Sequence, residues 1–196
     1  MTYSAALMPH PGTSCEAVRG IGARVSWTGD GGLAFTYLLK GNLAGVRIPP
    51  LRQSLRADRL WQHTCFEAFV AVKGGAAYRE FNFAPSGEWA VYEFVNYRER
   101  AAAAAETLAP KLTVRSTRDS LELDAVINLD RLPAARPGAR LKLALCAVIE
   151  EESGMLSYWA LNHPPGQPDF HHPDAFALEM GPLDAVVVNE SAMVKR

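Results

Sequence analysis

The sequence predicts an all-β chain, an antiparallel β-sandwich with one short helix. Short runs rich in Val, Ile, Phe, Tyr and Trp recur between turn residues, the composition of pleated, half-buried strands. Several runs alternate apolar and polar residues, the period of a strand with one buried face. The clearest stretch, Leu60 to Arg100, reads as three consecutive strands, Cys65–Lys73, Tyr78–Ala84 and Glu88–Asn96. Gly74-Gly75 and Pro85-Ser86-Gly87 join them, since Gly reaches positive φ freely and Pro presets φ for a turn. A length of 196 residues suits one domain, placed at 13–190 with flexible termini at 1–12 and 191–196.

In order, Met1 to Gly12 reads as a loose lead-in, because Pro9, Pro11 and Gly12 interrupt regular structure. Ala17–Trp27 is a strand whose Gly20 and Gly22 mark a bulge or a close backbone approach. Leu33–Lys40 and Leu43–Ile48 form a hairpin across Gly41-Asn42, stopped by Pro49-Pro50. Leu51–His63 carries three Arg and no strand period, so it is a connection with one helical turn. Tyr97–Leu108 holds the helix, built on the Ala101–Ala105 run and ended by Pro110. Lys111–Ser116 and Leu121–Asn128 make a hairpin, and Leu129–Pro133 a helical turn. Arg140–Glu150, with LALCAVI at its centre, is a strand buried on both faces. Met155–Asn162 follows. His163–Pro173 is a long polar loop, Ala175–Glu179 the last strand, and Val186–Val188 a further edge strand.

Composition excludes several function classes. Hydrophobic residues make up 48%, which is globular and not disordered. A net charge of −1 and the absence of a basic run argue against nucleic acid and against an anionic membrane surface. Cys15, Cys65 and Cys146 have neither zinc-ligand spacing nor a disulfide framework. They read as buried thiols, with a Cys15–Cys146 or Cys65–Cys146 bridge left open. The N-terminus lacks a charged start and an apolar run of signal-peptide length, so a cytoplasmic location is expected.

Three constellations could carry chemistry. Alternation puts Cys65, Glu67, Phe69 and Ala71 on one strand face, and Tyr78, Glu80 and Asn82 on one face of the next. If these strands pair, Glu67 and Glu80 come within cross-strand reach, where two carboxylates need a shared proton or a cation. A solvated polar face, or neutralisation by Arg52, Arg56 or Arg79, is the more ordinary arrangement. The second constellation is the His163, His171 and His172 segment with Asp169 and Asp174. A divalent metal or heme on these His is the alternative reading, but no HxH or HxxxH spacing supports it. A Pro-stiffened loop satisfying its own backbone is the simpler account. The third is the aromatic set. Trp89 reads as core, while Trp61 and Trp159, beside His63 and His163, are the cleft candidates. Thiol catalysis by Cys65 is disfavoured, because a strand offers no helix N-terminus to lower its pKa.

LWQHTCFEAFV, YREFNFAPSGEWAVYEFVNYR and SYWALNHPPGQPDFHHPDAF together resemble the bacterial DOMON-like proteins, relatives of the DOMON and family 9 carbohydrate-binding modules. The likeness runs from about Leu33 to Leu178. Thr64 and His63 stand where related modules carry an acidic residue ahead of the Cys-hydrophobe-Glu element. The resemblance implies a sandwich with a ligand cleft on one sheet and a sugar or heme as ligand. The residues that match are Trp61, Glu67, Glu80, Asn82, Trp159 and His163. The expectation is a small-ligand binding module, for a carbohydrate, with no cofactor. Heme or metal binding through His163, His171 or His172, and an enzyme using Glu67 with Glu80, are the alternatives.

Overall fold

The computed structural model describes residues 2–101, 109–129 and 139–181. These residues form two antiparallel sheets packed face to face. One sheet runs β8 (Lys111–Ser116), β9 (Ser120–Ile127), β3 (Leu33–Gly41), β2 (Val18–Trp27), β1 (Thr2–Pro9). The other runs β7 (Glu99–Arg100), β6 (Trp89–Asn96), β5 (Tyr78–Phe83), β4 (Cys65–Val72), β10 (Leu141–Glu150), β11 (Leu156–Ala160). β12 (Leu178–Met180) shares the edge of β10 with β11.

Alternation builds the interior. Leu33, Phe35, Tyr37 and Leu39 of β3 and Leu121, Leu123, Ala125 and Ile127 of β9 point inward. They meet Phe66, Ala68 and Val70 of β4, Phe81 and Phe83 of β5, and Leu145, Ala147 and Ile149 of β10. A second apolar cluster lies on the outer face of the β4–β10 sheet, with Phe69, Tyr92, Phe94, Cys146 and Val148 under a loop carrying Phe170. The outer face is therefore covered, which is why every residue of β5 and nearly all of β10 is buried.

β1 corrects the expectation of a loose N-terminus. Thr2–Leu7 pairs with β2, whereas Met8 and Pro9 pair with Ala160 and Trp159 of β11. One strand thus ties the two sheets together. Its one proline, Pro9, falls at the end of the run, where a lost N–H donor does little harm. The expected Leu33–Ile48 hairpin is absent as well. β3 pairs with β2 and β9, and Leu43–Gly45 is a 3₁₀ turn. Gly41 serves close approach here: a Cβ would sit 2.1 Å from the Ala17 carbonyl oxygen, which accepts the Asn42 N–H. Gly74 (φ 86°) and Gly87 (φ 89°) are turn glycines as expected, and the bulge in β2 lies between Val18 and Gly20.

No α-helix occurs among the described residues. Tyr97 and Arg98, expected to open the helix, form a turn with Arg98 at φ 55°, and Glu99–Arg100 returns along β6 as β7. The remainder of that expected helix, most of the Leu129–Pro133 turn and the Val186–Val188 strand lie outside the described residues. All three thiols are free, which closes the question of a bridge.

Candidate functional site

The outer face of the β4–β10 sheet carries two polar-centred rows. The first is Ala90, Asn82, Glu67, Cys146 and Ala160, which stand opposite one another across β6, β5, β4, β10 and β11. The next row is Tyr92, Glu80, Phe69 and Ala144. Ala90, Cys146 and Ala160 are small, so the floor around Glu67 is low while the row beside it is tall. Glu67 is fixed from beneath as well. Tyr37 of the opposing sheet reaches through the core and donates its hydroxyl to the Glu67 carbonyl at 2.7 Å, a bond worth about 0.5–1.5 kcal/mol net.

Loops raise walls around this floor. Trp61 comes from the 3₁₀ turn Leu60–Gln62, entered through Arg59 in the left-handed region, and stands edge-on to Tyr92 at 5.6 Å. Arg98 and Arg100 come from the turn and short strand after β6. The loop after β11 contributes Pro168, Phe170 and His171, and β11 itself contributes Tyr158. The result is a hollow of about 370 Å³ with Glu67 and Glu80 on its lining, at the lower end of the roughly 300–1,000 Å³ range of small-molecule sites.

Asp169 holds two walls together. It accepts from Tyr97 (2.6 Å) and Arg98 (2.7 Å), and from the His171 backbone N–H at 3.1 Å. Burial raises its pKa, but these bonds outweigh that and hold it below the usual carboxylate range. The other end of the loop is tied to β1: His163 Nε2 donates to the Met8 carbonyl (2.8 Å) and His10 Nε2 to Gly166 (3.1 Å).

The two acids differ in environment. Glu67 is 3% exposed, and its Oε1 is enclosed without a hydrogen-bond partner among the described residues. Burial, then the charge of Glu80, pushes its pKa well above the ordinary value. Glu80 is also raised by burial, but Asn82 donates to its Oε1 at 2.6 Å, and Arg100 and Arg98 pull it down. Glu67 therefore holds the proton of the pair and is a hydrogen-bond donor, while Glu80 is the acceptor. His171 stands over Glu80. Its Nδ1 lies 2.8 Å from the Tyr78 hydroxyl, which accepts the Arg98 N–H, and its Nε2 faces Glu80 Oε2 at 3.6 Å. Burial, then Arg98, lowers the His171 pKa to about 4, so the contact is not an ion pair at neutral pH.

The structure brings Trp61, Glu67 and Glu80 to one hollow. Asn82 lies wholly buried below it, accepting from Cys65 Sγ at 3.5 Å and orienting Glu80. Trp159 corrects the expectation of a cleft residue. It points into the inter-sheet core, with Nε1 donating to Ser157. Its neighbour Tyr158 faces the hollow instead, as strand alternation requires. His163 packs edge-on against His10 at 5.0 Å and belongs to the loop anchor. Trp89 is core, as read.

The structure does not gather His163, His171 and His172. His171 enters the hollow, whereas His172 turns away and accepts the Asp174 N–H at 3.2 Å. Among the described residues no cluster of three or more His, Cys, Asp or Glu could hold a metal ion. Cys65 is an enclosed thiol, its pKa pushed well up by burial and then by Glu67. Thr64, in the place of the acidic residue, accepts the Glu150 N–H at 3.1 Å. Arg98, Arg100, Tyr158 and Phe170 have no single local signature. Tyr158 alone was accessible to strand alternation, once Trp159 is put in the core.

No family model and no curated protein matches this chain. Solved structures do. A Bacteroides uniformis protein described as a candidate carbohydrate-binding protein superposes with a TM-score of 0.64 at 18% identity, covering 89% of this chain and 83% of that one. A family 9 carbohydrate-binding module from Caldicellulosiruptor kristjanssonii, in complex with cellotriose, gives 0.49 at 14% identity over 83% and 74%. The same kind of module with glucose gives 0.45 at 15% over 75% and 69%. The first of these likenesses establishes a shared fold.

Proposed function

We propose that this chain is a binding protein for a carbohydrate, held in the hollow over Glu67. The observation that carries the reading is the Glu67 carboxyl on the hollow's floor, whose Oε1 has no hydrogen-bond partner among the described residues. A buried polar group left unmatched costs about 1–3 kcal/mol, so a guest with hydroxyls offers it a use. The rest of the lining suits the same guest. Glu67 donates, Glu80 accepts, and Trp61, Tyr158 and Phe170 offer apolar faces to a ring's C–H groups. The fold shared with the Bacteroides protein, itself described as a candidate carbohydrate binder, supports it.

A glycan array followed by calorimetry tests the proposal. A sugar should bind the wild-type chain, with Trp61→Ala and Glu67→Ala each weakening it by about tenfold or more, roughly 1.4 kcal/mol. No bound sugar on the array, or variants that bind as the wild type does, would overturn it.

A further inference from the structure

Two guanidinium groups stand on the wall of the hollow, and they differ. Arg98 is engaged by Asp169 and reaches toward Tyr97. Arg100 lies over the face of Tyr92, its central carbon 3.8 Å from the ring centroid. That contact uses the face of the guanidinium and leaves the N–H groups along its edge. Among the described residues Arg100 has no carboxylate within ion-pair distance and no hydrogen-bond acceptor. Glu80 senses its charge without touching it.

Arg100 is also held in place. Tyr92 beneath it donates to Asp58 at 2.8 Å and is braced by Trp61, so the cation has a rigid seat at the rim. A rigid, rim-placed guanidinium matches a carboxylate in two parallel hydrogen bonds, and at the rim the ligand's anion keeps part of its hydration. A neutral sugar would leave this edge to water.

We propose that the carbohydrate taken by the hollow is an acidic sugar, a uronic acid residue, with its carboxylate on Arg100 and its hydroxyls over Glu80 and Glu67. The proposal rests on the sugar-binding reading and narrows its ligand class. Glu80 sits farther down the hollow, on β5, so the ligand's carboxylate is drawn to the rim and its hydroxyls to the floor.

Calorimetry at neutral pH with glucuronate, galacturonate and their methyl esters, beside glucose and galactose, tests it. Each acid should bind about tenfold or more tightly than its uncharged ester, and the preference should shrink as salt is raised. Arg100→Gln should bring the acid-to-ester ratio to about one. Esters that bind as well as the acids, a preference insensitive to salt, or one that survives in Arg100→Gln would overturn it. Neutral sugars binding while the acids do not would overturn this proposal and leave the sugar-binding reading standing. Failure of every sugar would remove both. The salt series uses the wild-type chain alone, so it decides between these outcomes even if the variant folds poorly.

Discussion

Glu67 and Asn82 stand directly opposite each other on β4 and β5, yet the Asn82 amide turns along its own strand to Glu80. One acid of the pair is thereby held as an acceptor. The other is left protonated, with an oxygen that nothing among the described residues satisfies.

Glu67→Gln should stabilise the protein increasingly as pH rises. The folded-state pKa of Glu67 is raised, so its contribution is fully present below the unfolded value near 4.5 and is lost as pH climbs through the folded value. Glutamine keeps the shape and removes that loss. Thermal unfolding at pH 4.5 and pH 8 should show little difference at the lower pH. At the higher pH the variant should gain at least about 2–4 °C, the shift that about 1 kcal/mol produces in a chain of this length.

His171 titrates in the opposite sense. Its folded pKa of about 4 lies below the ordinary 6.5, so the unfolded chain takes up a proton first as the solution is acidified. The stability that wild type holds over His171→Gln should therefore shrink between about pH 6.5 and pH 4, then level off. Direct titration of the imidazole by NMR should give a midpoint near 4; one near 6.5 would mean the ring is not enclosed.

Trp61 and Trp159 should separate binding from stability. Trp61 is 36% exposed, so Trp61→Ala should weaken sugar binding with a melting temperature close to wild type. Trp159 is 5% exposed in the core, and Trp159→Ala should cost about 3–5 kcal/mol in denaturant unfolding.

Asn82→Ala should destabilise the fold by about 1–3 kcal/mol, because it leaves the buried Glu80 without the amide that donates to it. Without that donor the Glu80 pKa should rise further. Urea unfolding of the variant beside Asn82→Asp checks the first point. An Asp there should be worse still, setting a further carboxyl beside Glu80.

Strand periodicity made much of the sandwich legible. The alternation in Leu33–Lys40 and Leu121–Ile127 names the core face of β3 and β9, and LALCAVI marks a strand enclosed on both sides. It failed where local chemistry was ambiguous. Gly41-Asn42 has the residues of a hairpin turn but serves contact with Ala17, and Thr2–Pro9 is a strand despite Pro9 and the Pro11-Gly12 that follows. Arg98 and Arg100 were hidden by the alanine run that follows them, which has strong helical propensity. Propensity is a local quantity, and the pairing of β7 with β6 is not.

The sequence by itself determined an antiparallel sandwich and set Glu67, Glu80 and Asn82 on shared strand faces, because side chains alternate at a fixed period. It could not say whether that face meets water. Only the tertiary structure decided this, by folding Pro168 to His171 and Arg98 to Arg100 over the sheet and turning Trp159 inward. The physical reason is that a carboxyl's protonation, and its readiness for a guest, depend on how much solvent the rest of the chain excludes, which no strand period encodes.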